Sequence, residues 1–149
     1  MKLALGSDHG GYQLKDAIKK HLEEKGLEYE DFGTHSDESV DYPDFGMKVS
    51  EAVVSGEFES GIICCGTGIG ISISANKVPG VRCAVVSDTF CAQMAREHNN
   101  ANVLALGGRV TGVGLALKIV DTWLETEFAG GRHGRRVDKI ADIEKKYLK

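Results

Sequence analysis

The stretch Ile62-Ile63-Cys64-Cys65-Gly66-Thr67-Gly68-Ile69-Gly70-Ile71-Ser72 sets a thiol at the end of an apolar run, just ahead of three glycines at alternate positions. The pattern predicts a buried strand that stops, a tight turn, and the start of a helix, with Cys65 at the turn. Free backbone N–H groups and the positive end of a helix dipole converge at such a point. That setting binds an anion and favours a thiolate over a thiol. A thiolate beside an oxyanion-binding loop serves as a nucleophile or as a base. The loop is not a P-loop, because the Gly-Lys-Ser/Thr ending is absent. A dinucleotide fingerprint would need its third glycine at Ile71, although Asp88, about 20 residues further on, stands where a ribose-binding acid is expected.

Other residues capable of chemistry lie elsewhere along the chain. Asp8-His9 follows the first apolar run, either as an N-cap with a surface imidazole or as part of a site. His98-Asn99-Asn100 closes a helical pattern, where such residues often cap. Arg109, Arg132, Arg135 and Arg136 point to an anionic ligand. The last three stand where a helix begins, a place where the dipole disfavours positive charge, and a phosphate held by guanidinium groups would account for them. Cys64, Cys83 and Cys91 read as small buried hydrophobes, His21 and His35 as surface residues, and His133 is left open. With no C-x-x-C and no H-x-x-x-H pair, neither a disulfide framework nor a metal site is expected.

Elements must bring these residues together. Apolar runs and helical patterns alternate, and Lys2–Gly6, Glu28–Asp31, Gly61–Cys65, Arg82–Val86 and Val103–Leu106 read as strands. The helical patterns cover Gly11–Lys25, Tyr42–Ser55, Gly70–Asn76, Thr89–His98 and Thr111–Glu125. In the first helix Leu14, Ile18 and Leu22 share one face, with lysines and glutamates on the others. Continuous rather than alternating apolar strands fit a sheet covered on both faces. The rhythm predicts an α/β fold, a three-layer αβα sandwich around a doubly wound, Rossmann-like parallel sheet of about five strands. Ligands of such sheets bind beyond the carboxyl ends of the strands. The loops Ser7–Gly11, Gly33-Thr34, Gly66–Gly70, Ser87-Asp88 and Gly107–Arg109 are therefore candidates for one shared site. After the Ala129-Gly130-Gly131 break an extra helix, about 133–148, carries Val137, Ile140 and Ile143 among charges, a stripe to be buried on its own core or on a partner subunit.

The bulk properties limit the possibilities. The 149 residues are read as one domain, 42% hydrophobic and 27% charged, with a net charge of −4 that implies no general attraction to nucleic acid or membrane. The opening Met1–Gly6 is too short in apolar character for a signal peptide, no stretch approaches the roughly 20 apolar residues of a membrane span, and a cytoplasmic location is expected.

Taken together, Gly6-Ser7-Asp8-His9-Gly10-Gly11, Asp41-Tyr42-Pro43-Asp44, Cys65-Gly66-Thr67-Gly68-Ile69-Gly70, Ala75-Asn76-Lys77, Arg96-Glu97-His98-Asn99 and Gly107–Arg109 resemble the type B ribose-5-phosphate isomerases. These are relatives of the galactose-6-phosphate isomerase subunits, and the resemblance covers essentially the whole chain. It implies a cofactor-free, metal-free interconversion of ribose 5-phosphate and ribulose 5-phosphate, a pentose-phosphate-pathway reaction, through a cis-enediolate. By similarity Cys65 is the base, His98 opens the sugar ring, and Thr67 hydrogen-bonds beside it. Asp8 and Asn99 would hold sugar hydroxyls, and Tyr42 would line the pocket. Gly66, Gly68, Ile69 and Gly70 would receive the enediolate oxygen, and His9, Arg109, Arg132 and Arg136 the phosphate. Some relatives carry a carboxylate base on this loop. Here no acid lies between Gly66 and Ser74, so the thiol branch is implied; Ser74 itself stands where a small apolar residue is expected. The family is typically a homodimer or homotetramer with sites built across the interface. The competing readings are a six-carbon substrate, such as allose 6-phosphate or galactose 6-phosphate, a non-catalytic sugar-phosphate or nucleotide-binding module on the same scaffold, and an oxidoreductase.

Overall fold

A computed structural model describes residues 1–148. Five strands, β1 (Lys2–Ser7), β2 (Glu28–Asp31), β3 (Ser60–Cys65), β4 (Cys83–Val85) and β5 (Val103–Gly107), alternate with α1 (Tyr12–Glu24), α2 (Tyr42–Val54), α3 (Ile69–Ala75) and α4 (Thr89–Glu97). Two helices, α5 (Val113–Glu125) and α6 (Arg132–Tyr147), follow. The strands form one sheet in the order β2-β1-β3-β5-β4, every pairing parallel.

The alternation of strand side chains builds two cores, one on each face. Leu3, Leu5, Ile62, Cys64, Leu104 and Leu106 pack with the apolar stripes of α1, α4 and α5. Ala4, Ile63, Cys65, Val103 and Ala105 point the other way, against Val49 and Val53 of α2 and Ile71 and Ala75 of α3. Covered on both faces, the inner strands β1, β3 and β5 need no polar side, which explains their continuous apolar runs, whereas the edge strand β2 is Glu-Tyr-Glu-Asp and alternates in exposure. The adjacent thiols Cys64 and Cys65 therefore belong to opposite layers. The edge position of β4 makes it the shortest strand and leaves Val85 45% exposed.

Four readings of single residues are corrected. Lys15 is not on the solvent face of α1 but buried in its apolar stripe with Leu14 and Ile18. Its ammonium donates to Asp31 Oδ1 at 2.7 Å and also to the Thr34 carbonyl. His21 is half-buried, with Nε2 2.7 Å from Asp121 Oδ1 on α5. Cys91 is exposed, because α4 turns its small residues Ala92 and Ala95 to the core instead. Cys83 is only half-buried on the edge strand, where burial still pushes its thiol up to about 12.

The C-terminal helix stands apart. Gly130 and Gly131 both take positive φ, 68° and 57°, and turn the chain into α6. No residue of α6 is buried, and Ile140, Ile143 and Tyr147 are 48%, 61% and 72% exposed. Glu144 Oε1 accepts from the Gly80 N–H at 3.0 Å, tying the helix to the segment before β4. Among the described residues no helix is long and apolar enough to cross a membrane.

Candidate active site

At the carboxyl edge of the sheet, β3 ends on Cys65, 5% exposed, and α3 begins three residues beyond Gly66. The Gly68 N–H points at the thiol, with N to Sγ at 3.1 Å. That bond requires the chain to reverse within the loop, and Gly68 does so at φ 80°. A Cβ there would also meet the Leu106 backbone at 2.9 Å, so space and dihedral both demand glycine. The Ile69 N–H is bound by Thr67 Oγ1 at 3.1 Å, which leaves the hydroxyl hydrogen of Thr67 free to donate. The first N–H groups of α3 have no intrahelical acceptor and face the same edge. Its neighbour Cys64 is wholly enclosed, and burial pushes that thiol far up, so it is inert.

Two further loops close on this one. Gly108 and Arg109 donate their N–H groups to the carbonyls of Cys65 and Gly66 at 2.8 and 2.9 Å. The Arg109 side chain lies across Gly66, where a Cβ would come within 3.3 Å of Nη1. On the other side, a Cβ on Gly11 would stand 2.3 Å from the Cys64 carbonyl carbon, so the loop after β1 rests directly on the β3 backbone. Asp8 is buried, its Oδ1 accepting from the Gly11 N–H at 3.0 Å. His9 Nδ1 accepts from the Val40 N–H at 3.2 Å, which assigns the proton of the neutral ring to Nε2. Tyr42, at the start of α2, packs its ring against Gly70, 2.8 Å from where a Cβ would be. His9, Asp37, Gly108 and Arg109 line a cleft of about 220 Å³ beside the loop.

His98, Asn99, Arg132 and Arg136 are not in this cluster. His98 caps the end of α4, and Asn99 follows in the turn that feeds the amino end of β5. The Gly61 N–H donates to the Asn102 carbonyl at 3.0 Å. Cys65 lies four residues further along that same strand, about 13 Å away at the usual rise. The His133 ring stacks on His98 with centroids 4.1 Å apart and planes 7° from parallel. The start of α6, with Arg132 and Arg136, therefore lies at the amino edge too. Partial burial, then the nearby His98, Arg132 and Arg136, push His133 below the ordinary imidazole range. A groove of about 760 Å³ also lies here, between α6 and the 76–83 segment, away from Cys65.

Asp88, the acid a nucleotide reading relies on, is the N-cap of α4, its Oδ1 accepting from the Cys91 N–H at 2.7 Å. Among the described residues no three His, Cys, Asp or Glu side chains are grouped to hold a metal ion. The residue that sequence reasoning missed is Lys15. Its ion pair with Asp31, and Asp31's bond to the Gly33 N–H at 2.8 Å, fasten the loop that supplies Val40 to His9. Burial works to raise the Asp31 pKa, but bonds from Lys15, the Gly33 N–H and Lys19 outweigh it and hold the carboxyl below its usual range. The signal was available: Lys15 precedes Ile18 by three positions, which puts it on the buried face.

Comparison with known proteins bears on the family and the fold. Residues 3–140 match the model of a family described as Ribose/Galactose Isomerase. The ribose-5-phosphate isomerase B of Escherichia coli (strain K12) is 50% identical over 145 residues, 97% of either chain. The solved structure of Clostridium thermocellum ribose-5-phosphate isomerase B superposes with a TM-score of 0.98 at 64% identity, covering 99% of this chain and all of that one. The Mycoplasma genitalium ribose-5-phosphate isomerase B, solved with bound ribulose-5-phosphate, gives 0.92 at 43% identity, over 97% of this chain and 96% of the other.

Proposed function

The chain belongs to the ribose/galactose isomerase family, and from that membership we propose that it interconverts D-ribose 5-phosphate and D-ribulose 5-phosphate without a metal, through a cis-enediolate. The observation that carries this reading is the Cys65 thiol under the Gly68 N–H, at an edge where loops holding Asp8 and Arg109 converge. Cys65, as thiolate, takes the C2 proton of the open aldose and returns it to C1, while a proton passes from O2 to O1. The negative oxygen of the enediolate rests against N–H groups of Gly66–Gly70, donors already oriented before the substrate arrives. His98 moves the proton that opens the furanose, with Thr67 donating its free hydroxyl hydrogen beside it. Asp8 and Asn99 hold sugar hydroxyls, and Tyr42 walls the pocket. The phosphate is received by His9, through Nε2–H, and by Arg109, Arg132 and Arg136.

Because His98, Asn99, Arg132 and Arg136 lie at the far edge of the same sheet, a working site takes them from a second copy of the chain. The exposed stripe of α6 supports this reading, since it has no cover within its own chain. The assembly is a homodimer or homotetramer.

The test is turnover of ribose 5-phosphate by chelator-treated protein beside its Cys65→Ala variant. Conversion that survives the chelator and vanishes in the variant is the expected result. Conversion abolished by the chelator, or retained by the variant, would remove the mechanism. The family's own description includes galactose, so a six-carbon sugar phosphate is the second reading. Comparable kcat/KM on allose 6-phosphate or galactose 6-phosphate would favour it.

A further inference from the structure

The turn after α4 is held in an unusual way. Asn100 takes φ 45°, and the Asn100 and Ala101 N–H groups reach back to the Arg96 and Ala95 carbonyls at 3.2 and 2.9 Å. This is a helix end closed by a left-handed residue, a role asparagine fills when glycine is absent. Closing it leaves the carbonyls of Asn99, Asn100 and Ala101 facing outward.

Two arginines, Arg82 just ahead of β4 and Arg96 within α4, meet all three. Arg82 Nε lies 3.2 Å from the Asn99 oxygen and 3.1 Å from that of Asn100, which also receives Nη2 at 2.8 Å. Arg96 Nη1 donates to the Ala101 carbonyl at 2.7 Å and to Asn100 Oδ1 at 3.1 Å. The main chain of Arg82 and the guanidinium of Arg96 are held in turn. The Arg82 backbone N–H donates to Asn102 Oδ1 at 2.8 Å, and Arg96 stacks over Trp123 with 5.5 Å to the ring centroid. Burial and the nearby Arg82 both work against the charge of Arg96. Charge-assisted bonds to carbonyls offset that penalty, and none of these bonds reaches a side chain proposed to touch substrate.

We propose that Arg82 and Arg96 are positioning residues: clamped on three consecutive carbonyls, they set the direction in which His98 and Asn99 leave the helix end and so present both to the second copy's Cys65 loop. The inference rests on the reading of His98 as the ring-opening group. An imidazole displaced by about 1 Å costs up to 10²-fold in rate. The carbonyl bonds that prevent such a shift come from these two side chains.

The experiment is a double-mutant cycle on ribose 5-phosphate turnover, with Arg82→Met and Arg96→Met made alone and in a His98→Ala background. Thermal melting and size-exclusion of each variant accompany it. Arg82→Lys or Arg96→Lys, which keeps the charge but loses the fork, stands in for the corresponding methionine variant if that one does not fold. Alone, each substitution is expected to lower kcat by about 10-fold or more, and in the His98→Ala background by less than about twofold. Equal losses in both backgrounds, or no loss in the first, would overturn the proposal, because a merely structural arginine lowers both alike. Full turnover by His98→Ala would instead defeat the underlying reading of His98. The two failures are thus told apart.

Discussion

The two edges of this sheet are built by different means. At the carboxyl edge the main chain does the positioning: three glycine-rich loops lie backbone on backbone, and Gly11, Gly68 and Gly107 have no room for a side chain. At the amino edge the positioning is done by side chains, with guanidinium groups of Arg82 and Arg96 on turn carbonyls and one imidazole stacked on another. The difference follows from the tasks proposed for each edge. Stabilising a developing oxyanion needs donors fixed before the reaction, and backbone N–H groups anchored in a sheet are the stiffest available. Delivering groups to another copy needs reach, which long side chains on an exposed turn and a separate helix supply.

The largest expected effect tests whether the two edges serve one site. Cys65→Ala is expected to lower kcat by about 10³-fold and His98→Ala by about 10²-fold. Mixed and allowed to exchange subunits, the two inactive proteins should recover about a quarter of wild-type turnover, since half the dimers then carry one intact site. No recovery, with subunit exchange demonstrated by mass, would mean that each chain uses its own residues.

A change confined to the carboxyl edge comes next. Gly68→Ala forces a side chain onto a backbone at φ 80° and toward Leu106, so a loss of about 1–3 kcal/mol in unfolding free energy is expected, with a marked fall in kcat. Denaturant melts and steady-state kinetics read the two effects. Wild-type values for both would mean that the loop is softer than its contacts imply.

At the amino edge, Arg136→Ala is expected to raise KM for phosphorylated sugars about 10-fold with little change in kcat, as befits loss of one charged hydrogen bond. An unchanged KM takes Arg136 out of the phosphate site.

The smallest effect concerns the buried Lys15–Asp31 pair, which ties down the loop behind His9. The Asp31 pKa is lowered in the folded protein, so its contribution to stability is full above the unfolded carboxylate pKa of about 3.9 and is lost as pH falls through the folded value. Wild-type melting temperature should therefore drop below about pH 4 more steeply than that of Asp31→Asn, which starts lower at neutral pH. Parallel profiles would show that the pair does not contribute.

Much of the carboxyl edge was legible in the sequence, because a local pattern encodes it: an apolar run, a thiol, then alternating glycines. The opposite layers of Cys64 and Cys65 follow from the two-residue period of a strand. Lys15 escaped because a lysine on a charged helix reads as a surface residue even at a core-facing position; Lys15 and Lys19 both pair with Asp31 of β2, but only Lys15 is fully buried. Cys91 was misread because the core face of α4 is carried by alanines, too small to mark a stripe. Arg82 and Arg96 escaped because their acceptors are backbone carbonyls, which every sequence contains.

The sequence by itself determined the element order, the αβα class, the thiol loop and the family, all of which depend on composition and spacing within short windows. Only the tertiary structure decided that Cys65 and His98 stand at opposite edges of one sheet. In a parallel sheet every strand runs the same way and every helix returns, so a residue at a helix end lies a full strand length from one at a strand end. Motifs adjacent in a list are thereby set apart within one chain.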